Sequence, residues 1–164
     1  MPRHGRSRLW PLAALLALPL ALAGCTGPVE VDVPELPDAD RAACAAFAAD
    51  LPDTLADEER VDIEPADAPA AAYGDPAIVV RCGVARPEGF DLTAACESAD
   101  GVGYYIPDEQ YDDQGLDLTL TAAGYRPRVE VSIPARYRPN AGPAAMAALA
   151  PLVKRHLTLV DDCA

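Results

Sequence analysis

The N-terminus limits which part of this chain can contribute to a folded domain. It carries three arginines within the first eight residues, followed by an uncharged apolar run over residues 9–22. A basic segment followed by a short apolar one is typical of a secretory signal peptide. The apolar run has about 14 residues, whereas a helix that spans a bilayer needs about 20. We therefore expect residues 1–24 to be a signal peptide that is removed from the mature protein.

The residues that close this segment, Leu22-Ala23-Gly24-Cys25, resemble the lipobox of bacterial lipoproteins. The resemblance implies that Cys25 accepts a diacylglycerol group and becomes the first residue of the mature chain. Two acyl chains anchor a protein stably, whereas a single chain binds a membrane reversibly. The resemblance therefore implies a protein held by Cys25 on the extracytoplasmic face of the cell membrane, with that membrane as its first partner.

Residues 25–39 follow as a segment rich in proline and acidic side chains. Such segments remain extended and resist collapse into a core. We predict that residues 25–39 form a tether and that residues 40–164 form one globular domain. At about 3.1 Å per residue, residues 26–39 would reach about 43 Å from the membrane.

The charge of the mature chain restricts its partners. Loss of the three N-terminal arginines leaves 10 basic residues against 26 acidic ones, a formal charge of −16. Nucleic acids and anionic lipid headgroups bind clustered lysine and arginine. We therefore expect no nucleic-acid partner, and we consider an envelope protein or a cell-wall component as the candidate partner.

Four cysteines remain after Cys25: Cys44, Cys82, Cys96 and Cys163. An even number of cysteines in an exported chain indicates two disulfides, and four cysteines allow three connectivities. A zinc site is the alternative, but the mature chain has no Cys-x-x-Cys motif and a single histidine, His156. We expect two disulfides, no metal and no cofactor.

Hydrophobic periodicity predicts the secondary structure of residues 40–164. A first helix is predicted over residues 40–51 with Asp40 as its N-cap, and a last helix begins at residues 140–143. Alternation or β-branched composition predicts strands near residues 77–84, 101–106, 116–121 and 129–133, with Cys96 in a loop. The last helix is expected to bury one face, formed by Met146, Leu149, Val153, Leu157 and Val160. This order predicts a small single α+β domain in which two terminal helices cover an antiparallel β-meander.

The run over residues 73–87, YGDPAIVVRCGVARP, is the most distinctive stretch of the chain. Together with Cys44, Leu51-Pro52 and residues 129–134, it resembles an actinobacterial secreted lipoprotein family catalogued as domain of unknown function 3515. Members typically carry Trp where Tyr73 and Tyr104 stand here. The resemblance implies disulfides between Cys44 and Cys82 and between Cys96 and Cys163, and it implies no activity.

The residues available for catalysis favour a binding protein over an enzyme. The mature chain has two serines, Ser98 and Ser132, and neither lies in a Gly-x-Ser-x-Gly motif. Cysteines that are bonded as disulfides cannot act as nucleophiles, because only the thiolate attacks. We therefore predict a non-enzymatic binding or interaction module of the cell envelope. The alternative is a carboxylate-dependent envelope hydrolase, which needs only two suitably placed acids.

Arg81 and Arg86 flank Cys82 in the distinctive run and are the candidate binding residues. Guanidinium groups bind carboxylate and phosphate in a bidentate geometry. In so acidic a protein, internal salt bridges are the alternative role for these two side chains.

Overall fold

The structure is a computed structural model that describes residues 27–32, 34–91, 93–161 and 163. Its helices are α1 (Asp38–Ala49), α2 (Asp108–Asp112) and α3 (Arg138–His156), and a 3-10 turn at Ala135–Tyr137 precedes α3. Its strands are β1 (Val29–Glu30), β2 (Thr54–Leu55), β3 (Glu58–Val61), β4 (Ile63–Glu64), β5 (Ala70–Tyr73), β6 (Ile78–Val84), β7 (Cys96–Ala99), β8 (Val102–Tyr105), β9 (Leu118–Thr121), β10 (Tyr125–Arg126), β11 (Arg128–Ile133) and β12 (Thr158–Leu159). Within the described ranges, no helix combines the length and the apolar character needed to cross a bilayer.

Eight of the strands form one antiparallel sheet in the order β2-β3-β5-β6-β11-β9-β8-β7. The predicted α+β class and antiparallel pairing are confirmed, but the sheet consists of two meanders instead of one. The chain passes from β6, in the centre, to the far edge at β7 and returns through β8 and β9 to β11. The pairing of β6 with β11 joins the two halves.

The helices at the two ends of the domain cover one face of this sheet, as predicted. Side chains alternate between the two faces of a strand. In β6 the residues Ile78, Val80 and Cys82 are buried in the core, where they join Phe47 of α1 and Leu149 of α3. Residues 79 and 81 of β6 and residue 130 of β11 consequently lie on the opposite face, which α1 and α3 leave uncovered.

Two disulfides connect the terminal segments to the sheet. Cys44 of α1 is bonded to Cys82 of β6, with 5.3 Å between their Cα atoms. Cys96 is bonded to Cys163, with 5.8 Å between their Cα atoms. This is the connectivity that the family resemblance implied. Cys96, which was predicted in a loop, is the first residue of β7.

The first helix begins two residues earlier than predicted. Pro37 precedes it and contributes no side-chain cap, while Asp38 and Asp40 both lie in the first turn. Asp40 is therefore not the N-cap. Proline is compatible with a helix start because the first N–H groups have no partner within the helix, and carboxylates there complement the helix dipole.

The last helix also begins earlier than predicted, at Arg138, because Pro139 takes the favoured position at its start. Met146, Leu149 and Val153 are buried along the expected face. Val160 is exposed and lies outside the helix, which ends at His156 and is followed by β12. The prediction for Val160 was wrong because β12 pairs with β10 and so changes the direction of the chain.

Part of the predicted tether lies on the domain. β1 pairs with β4 in parallel, and the amide of Val31 donates to the carbonyl of Glu64 over 2.9 Å. Val31 is 8% exposed and packs with Ala68 and Ala70. Further along, Leu36 lies so close to Gly83 that a Cβ atom there would clash with it. We call residues 29–32 and 34–36 the N-terminal strap.

Candidate functional site

A row of side chains crosses the sheet face opposite α1 and α3. Cross-strand pairing aligns Tyr105 of β8 with Thr121 of β9, Thr121 with Glu130 of β11, and Glu130 with Arg81 of β6. Directly paired residues of adjacent antiparallel strands lie on the same face and interact. The row therefore brings an aromatic ring, a hydroxyl, a carboxylate and a guanidinium together on one surface.

Arg81, a predicted binding residue, forms an ion pair with Glu130. The contact joins Nη2 of Arg81 to Oε1 of Glu130, and both side chains are half-buried. Among the described residues, the buried Nε atom of Arg81 has no hydrogen-bond partner. Glu130 was not among the predicted binding residues, although its alternation with Val129 and Val131 indicates that it points away from the core.

Arg86, the second predicted residue, braces a loop instead of joining this row. Its Nε and Nη2 atoms donate to the carbonyl of Phe90 over 3.1 and 2.9 Å, and its guanidinium lies 5.2 Å from the centre of the Phe90 ring. The Phe90 ring packs edge-on against Tyr105, at 5.4 Å between ring centres. The Tyr105 hydroxyl donates to the carbonyl of Glu88 over 3.3 Å. Residues 87–90 are therefore fixed against β8.

Helix α2 is fixed opposite this loop. The Gln110 side chain accepts a hydrogen bond from the amide of Thr119 over 2.7 Å. Arg138, which is 8% exposed, donates to the carbonyls of Gln110, Asp113 and Leu116, the last over 2.7 Å. These contacts tie the helix to β9 and to the start of α3.

A cavity of about 500 Å³ opens between the 87–90 loop and α2, and we call it the acidic cleft. Four carboxylate side chains contribute to its walls: Glu88, Asp108, Glu109 and Glu130. Three hydroxyl-bearing residues also line it: Tyr105, Thr119 and Thr121. Of the described residues that line the cleft, none is lysine or arginine. A smaller cavity of about 310 Å³ lies across the Arg81–Glu130 pair, next to Asp32 and Pro34 of the strap.

A larger groove of about 840 Å³ lies between α1 and residues 60–70. The two arginine side chains in its lining already form hydrogen bonds within the domain. Arg41 donates to the carbonyl of Leu36 over 2.8 Å, and Arg60 donates to that of Leu51 over 3.3 Å. Six alanines and the acidic residues Asp62, Glu64 and Asp67 line it, and no hydroxyl-bearing or aromatic side chain does so among the described residues. The acidic cleft combines its carboxylates with hydroxyl groups and an aromatic ring, and we therefore take it as the candidate binding site.

The remaining groups with catalytic potential lie in structural pairings. His156 Nε2 is 2.8 Å from Asp50 Oδ2, and Arg155 Nη1 is 3.0 Å from the same oxygen. Hydrogen bonds from His156 and then Arg155 lower the pKa of the Asp50 carboxyl. The described residues contain no cluster of three or more histidine, cysteine, aspartate or glutamate side chains able to hold a metal ion.

The two positions at which the family typically carries Trp keep an aromatic ring with a hydrogen-bond donor. Tyr73 and Tyr104 are fully buried. Their hydroxyls donate to the carbonyls of Pro52 over 3.0 Å and Met146 over 3.2 Å. Burial raises the pKa of both phenols, which keeps them protonated as donors.

Cys25, the predicted lipidation site, lies outside the residues that the structure describes. Comparison with known protein families gives a match to the model described as “Protein of unknown function (DUF3515)” over residues 11–161. No curated protein and no solved structure matches the chain.

Proposed function

This chain belongs to the DUF3515 family of proteins of unknown function, and from that premise we propose that it is a lipid-anchored binding protein of the cell envelope. In this proposal Cys25 carries the lipid and holds the protein on the extracytoplasmic face of the membrane. The domain is not an enzyme, and it binds an envelope protein or a cell-wall component through the sheet face opposite α1 and α3.

The observation that carries the proposal is the acidic cleft and the bracing of its two walls. One wall is fixed by Arg86 and Tyr105, and the other by Gln110 and Arg138. A site whose walls are ordered before binding loses less conformational entropy when a ligand binds. The cavity volume falls within the range of about 300–1,000 Å³ that is usual for ligand pockets.

The chemistry of the described residues supports binding over catalysis. All four cysteines of the domain are in disulfides, and the His156 ring contacts Asp50. A serine or cysteine hydrolase requires a nucleophile within hydrogen-bond reach of a base. The cleft instead offers carboxylate and hydroxyl oxygens, which are groups that accept hydrogen bonds from a ligand.

A carboxylate-dependent envelope hydrolase is the second candidate. It is favoured by the four carboxylates that share one cleft, because a glycosidase needs only an acid and a second carboxylate flanking the scissile bond. Release of soluble fragments from purified cell-wall material by the full-length protein, and its loss in Glu109→Gln, would support this candidate over the binding protein.

The first experiment tests the anchor. Cys25→Ala should move the protein out of the membrane fraction and abolish its labelling by a fatty-acid analogue. The matched control is Ser98→Ala, which keeps Cys25 and should therefore remain in the membrane fraction. Unchanged labelling of Cys25→Ala would contradict the anchor.

The second experiment tests the binding face in intact cells. A photo-crosslinking amino acid replaces Glu88 on the cleft wall or, as the control, Ala147 on the exposed side of α3. We expect a defined adduct from position 88 that is missing at position 147. Identical adducts from both positions, or none from either, would overturn the assignment of this face.

A further inference from the structure

We propose that the acidic cleft binds an organic cation that carries a primary ammonium group. The inference rests on the proposed function, since it names the ligand class for the binding face proposed there. Three observations carry it: the charge of the cleft, the spacing of its carboxylates and the hydroxyl of a buried threonine on its floor.

The charge of the cleft is one-sided. Glu88, Asp108, Glu109 and Glu130 line it, and none of its described lining residues is lysine or arginine. The nearby arginines are engaged outside the cleft or with its rim: Arg81 pairs with Glu130, Arg86 donates to the carbonyl of Phe90, and Arg128 donates to that of Ala123. Cavities lined by one sign of charge concentrate ligands of the opposite sign, because low-dielectric walls focus the field. The cleft therefore selects a cation.

The spacing of these carboxylates indicates an organic cation instead of a metal ion. Hard divalent cations need several oxygen ligands converging within about 2.0–2.6 Å of one point. No group of three acidic side chains in the described residues is close enough for this. The carboxylates surround a cavity of about 500 Å³, which has room for a molecule with several non-hydrogen atoms.

Thr121 adds an independent argument for a hydrogen-bond donor. It is 1% exposed and lies on the cleft floor between Tyr105 and Glu130. Among the described residues its hydroxyl has no hydrogen-bond partner, so its oxygen is free to accept a hydrogen bond from a group bound in the cleft. An ammonium group has three N–H donors and no acceptor. It would satisfy the Thr121 oxygen and the nearby carboxylates together.

The same geometry disfavours a guanidinium ligand. A guanidinium is planar and binds well where it can stack on an aromatic face. The aromatic ring of the cleft, Tyr105, is 6% exposed and is packed against Phe90. The compact ammonium matches a cleft whose accessible groups are oxygens.

The test uses full-length protein in detergent micelles and records backbone amide NMR spectra. The probes are 1,5-diaminopentane, the neutral 1,5-pentanediol and calcium chloride, at equal ionic strength. Diaminopentane should cause saturable shifts at the amides of Thr119, Thr121 and Glu130. The diol and calcium should not.

Charge removal on the α2 wall should then weaken the affinity. Asp108→Asn combined with Glu109→Gln should raise the dissociation constant for diaminopentane about fivefold, as expected for two exposed ion pairs. Asp112→Asn, in the same helix but outside the cleft, should leave it unchanged. Because the double substitution also removes both acids from the first turn of α2, Glu88→Gln on the opposite wall provides a second variant and should weaken binding about twofold.

Equal shifts with calcium or with the diol would overturn the inference, as would equal affinity in the variants and in the wild type. Absence of diaminopentane shifts, together with a specific adduct from position 88, would reject the ammonium ligand and leave the proposed binding function standing. If neither the diaminopentane shifts nor the adduct from position 88 appears, the ammonium ligand and the proposed binding function are both rejected.

Discussion

Arg138 shows how one buried side chain can hold a wall of the cleft. Its guanidinium donates to carbonyls of Gln110, Asp113 and Leu116, which lie more than 20 residues earlier in the chain. Arginine can do this because its planar fork carries five N–H donors. The side chain therefore provides hydrogen-bond donors to the end of α2 and to residues 113–116, which lie outside the helices and strands.

Replacement of Arg138 by alanine should destabilise the domain by about 3 kcal/mol, because it removes the charge-assisted hydrogen bonds of a buried guanidinium. The measurement is urea unfolding of the full chain. Arg136→Ala is the matched control, since Arg136 is exposed and its loss should cost less than about 1 kcal/mol. Equal unfolding midpoints for the two variants would contradict the role given to Arg138.

Asp50 links the end of α1 to the end of α3 and should make stability depend on pH. Hydrogen bonds from His156 and Arg155 lower the pKa of its carboxyl below the usual 3.8. A carboxyl whose pKa is lower in the folded state stabilises the fold above its unfolded pKa and loses that effect as the pH falls through its folded pKa.

Asp50→Asn should therefore lower the melting temperature near pH 6, and its difference from the wild type should shrink as the pH falls below about 4. Thermal unfolding between pH 7 and pH 3 measures this. Asp112→Asn, an exposed acid in α2, serves as the control and should follow the wild-type curve. A difference that stays constant down to pH 3 would show that the Asp50 charge is not the cause.

Among the secondary-structure elements, α1 depends most clearly on a covalent link. It has 12 residues, many of them exposed, and buries only Cys44 and Phe47. Isolated helices of about this length are marginal in water. The disulfide from Cys44 to Cys82 ties α1 to the central strand β6.

Removal of this disulfide by Cys44→Ala with Cys82→Ala should cost about 4 kcal/mol, from the chain entropy of the loop that it closes. Cys96→Ala with Cys163→Ala should cost a similar amount, since the sequence separations are 38 and 67 residues and the entropy grows only with their logarithm. Hydrogen exchange should separate the two variants, because only the first should expose the amides of α1. Full protection of α1 in the first variant would contradict this.

The elements also show what the sequence could predict. The alternation of Val129, Val131 and Ile133 predicted β11 correctly, because a strand with one buried face carries that pattern locally. The pairing of Arg81 with Glu130 joins residues 49 apart, and no local pattern encodes that register. The burial of Thr121 was missed for the same reason, since Thr121 lies between the neighbouring strands β8 and β11.

For the whole molecule, the N-terminal strap changes how the domain would sit on its proposed anchor. Val29 donates to the carbonyl of Asp62 over 2.8 Å, and Val31 packs in a small cluster with Ala68 and Ala70. Proline and acidic residues predicted an extended segment, and an extended segment can pair with another strand as readily as it can remain free. With Cys25 lipidated, the four residues from Cys25 to Val29 would span about 14 Å, instead of the 43 Å of a free tether.

Val31→Asp should detach the strap, because it places a charge in the cluster that Val31 shares with Ala68 and Ala70. We expect a loss of about 1–2 kcal/mol, close to the contribution of one buried valine. Hydrogen exchange of the peptide covering residues 27–36 should become fast, while the central strands β6 and β11 stay protected. Asp32→Asn, an exposed position of the same strap, should leave the exchange unchanged. Equal protection of the strap in both variants would contradict this role of Val31. It would show that the backbone pairing of β1 with β4 holds the strap on the domain without the Val31 side chain.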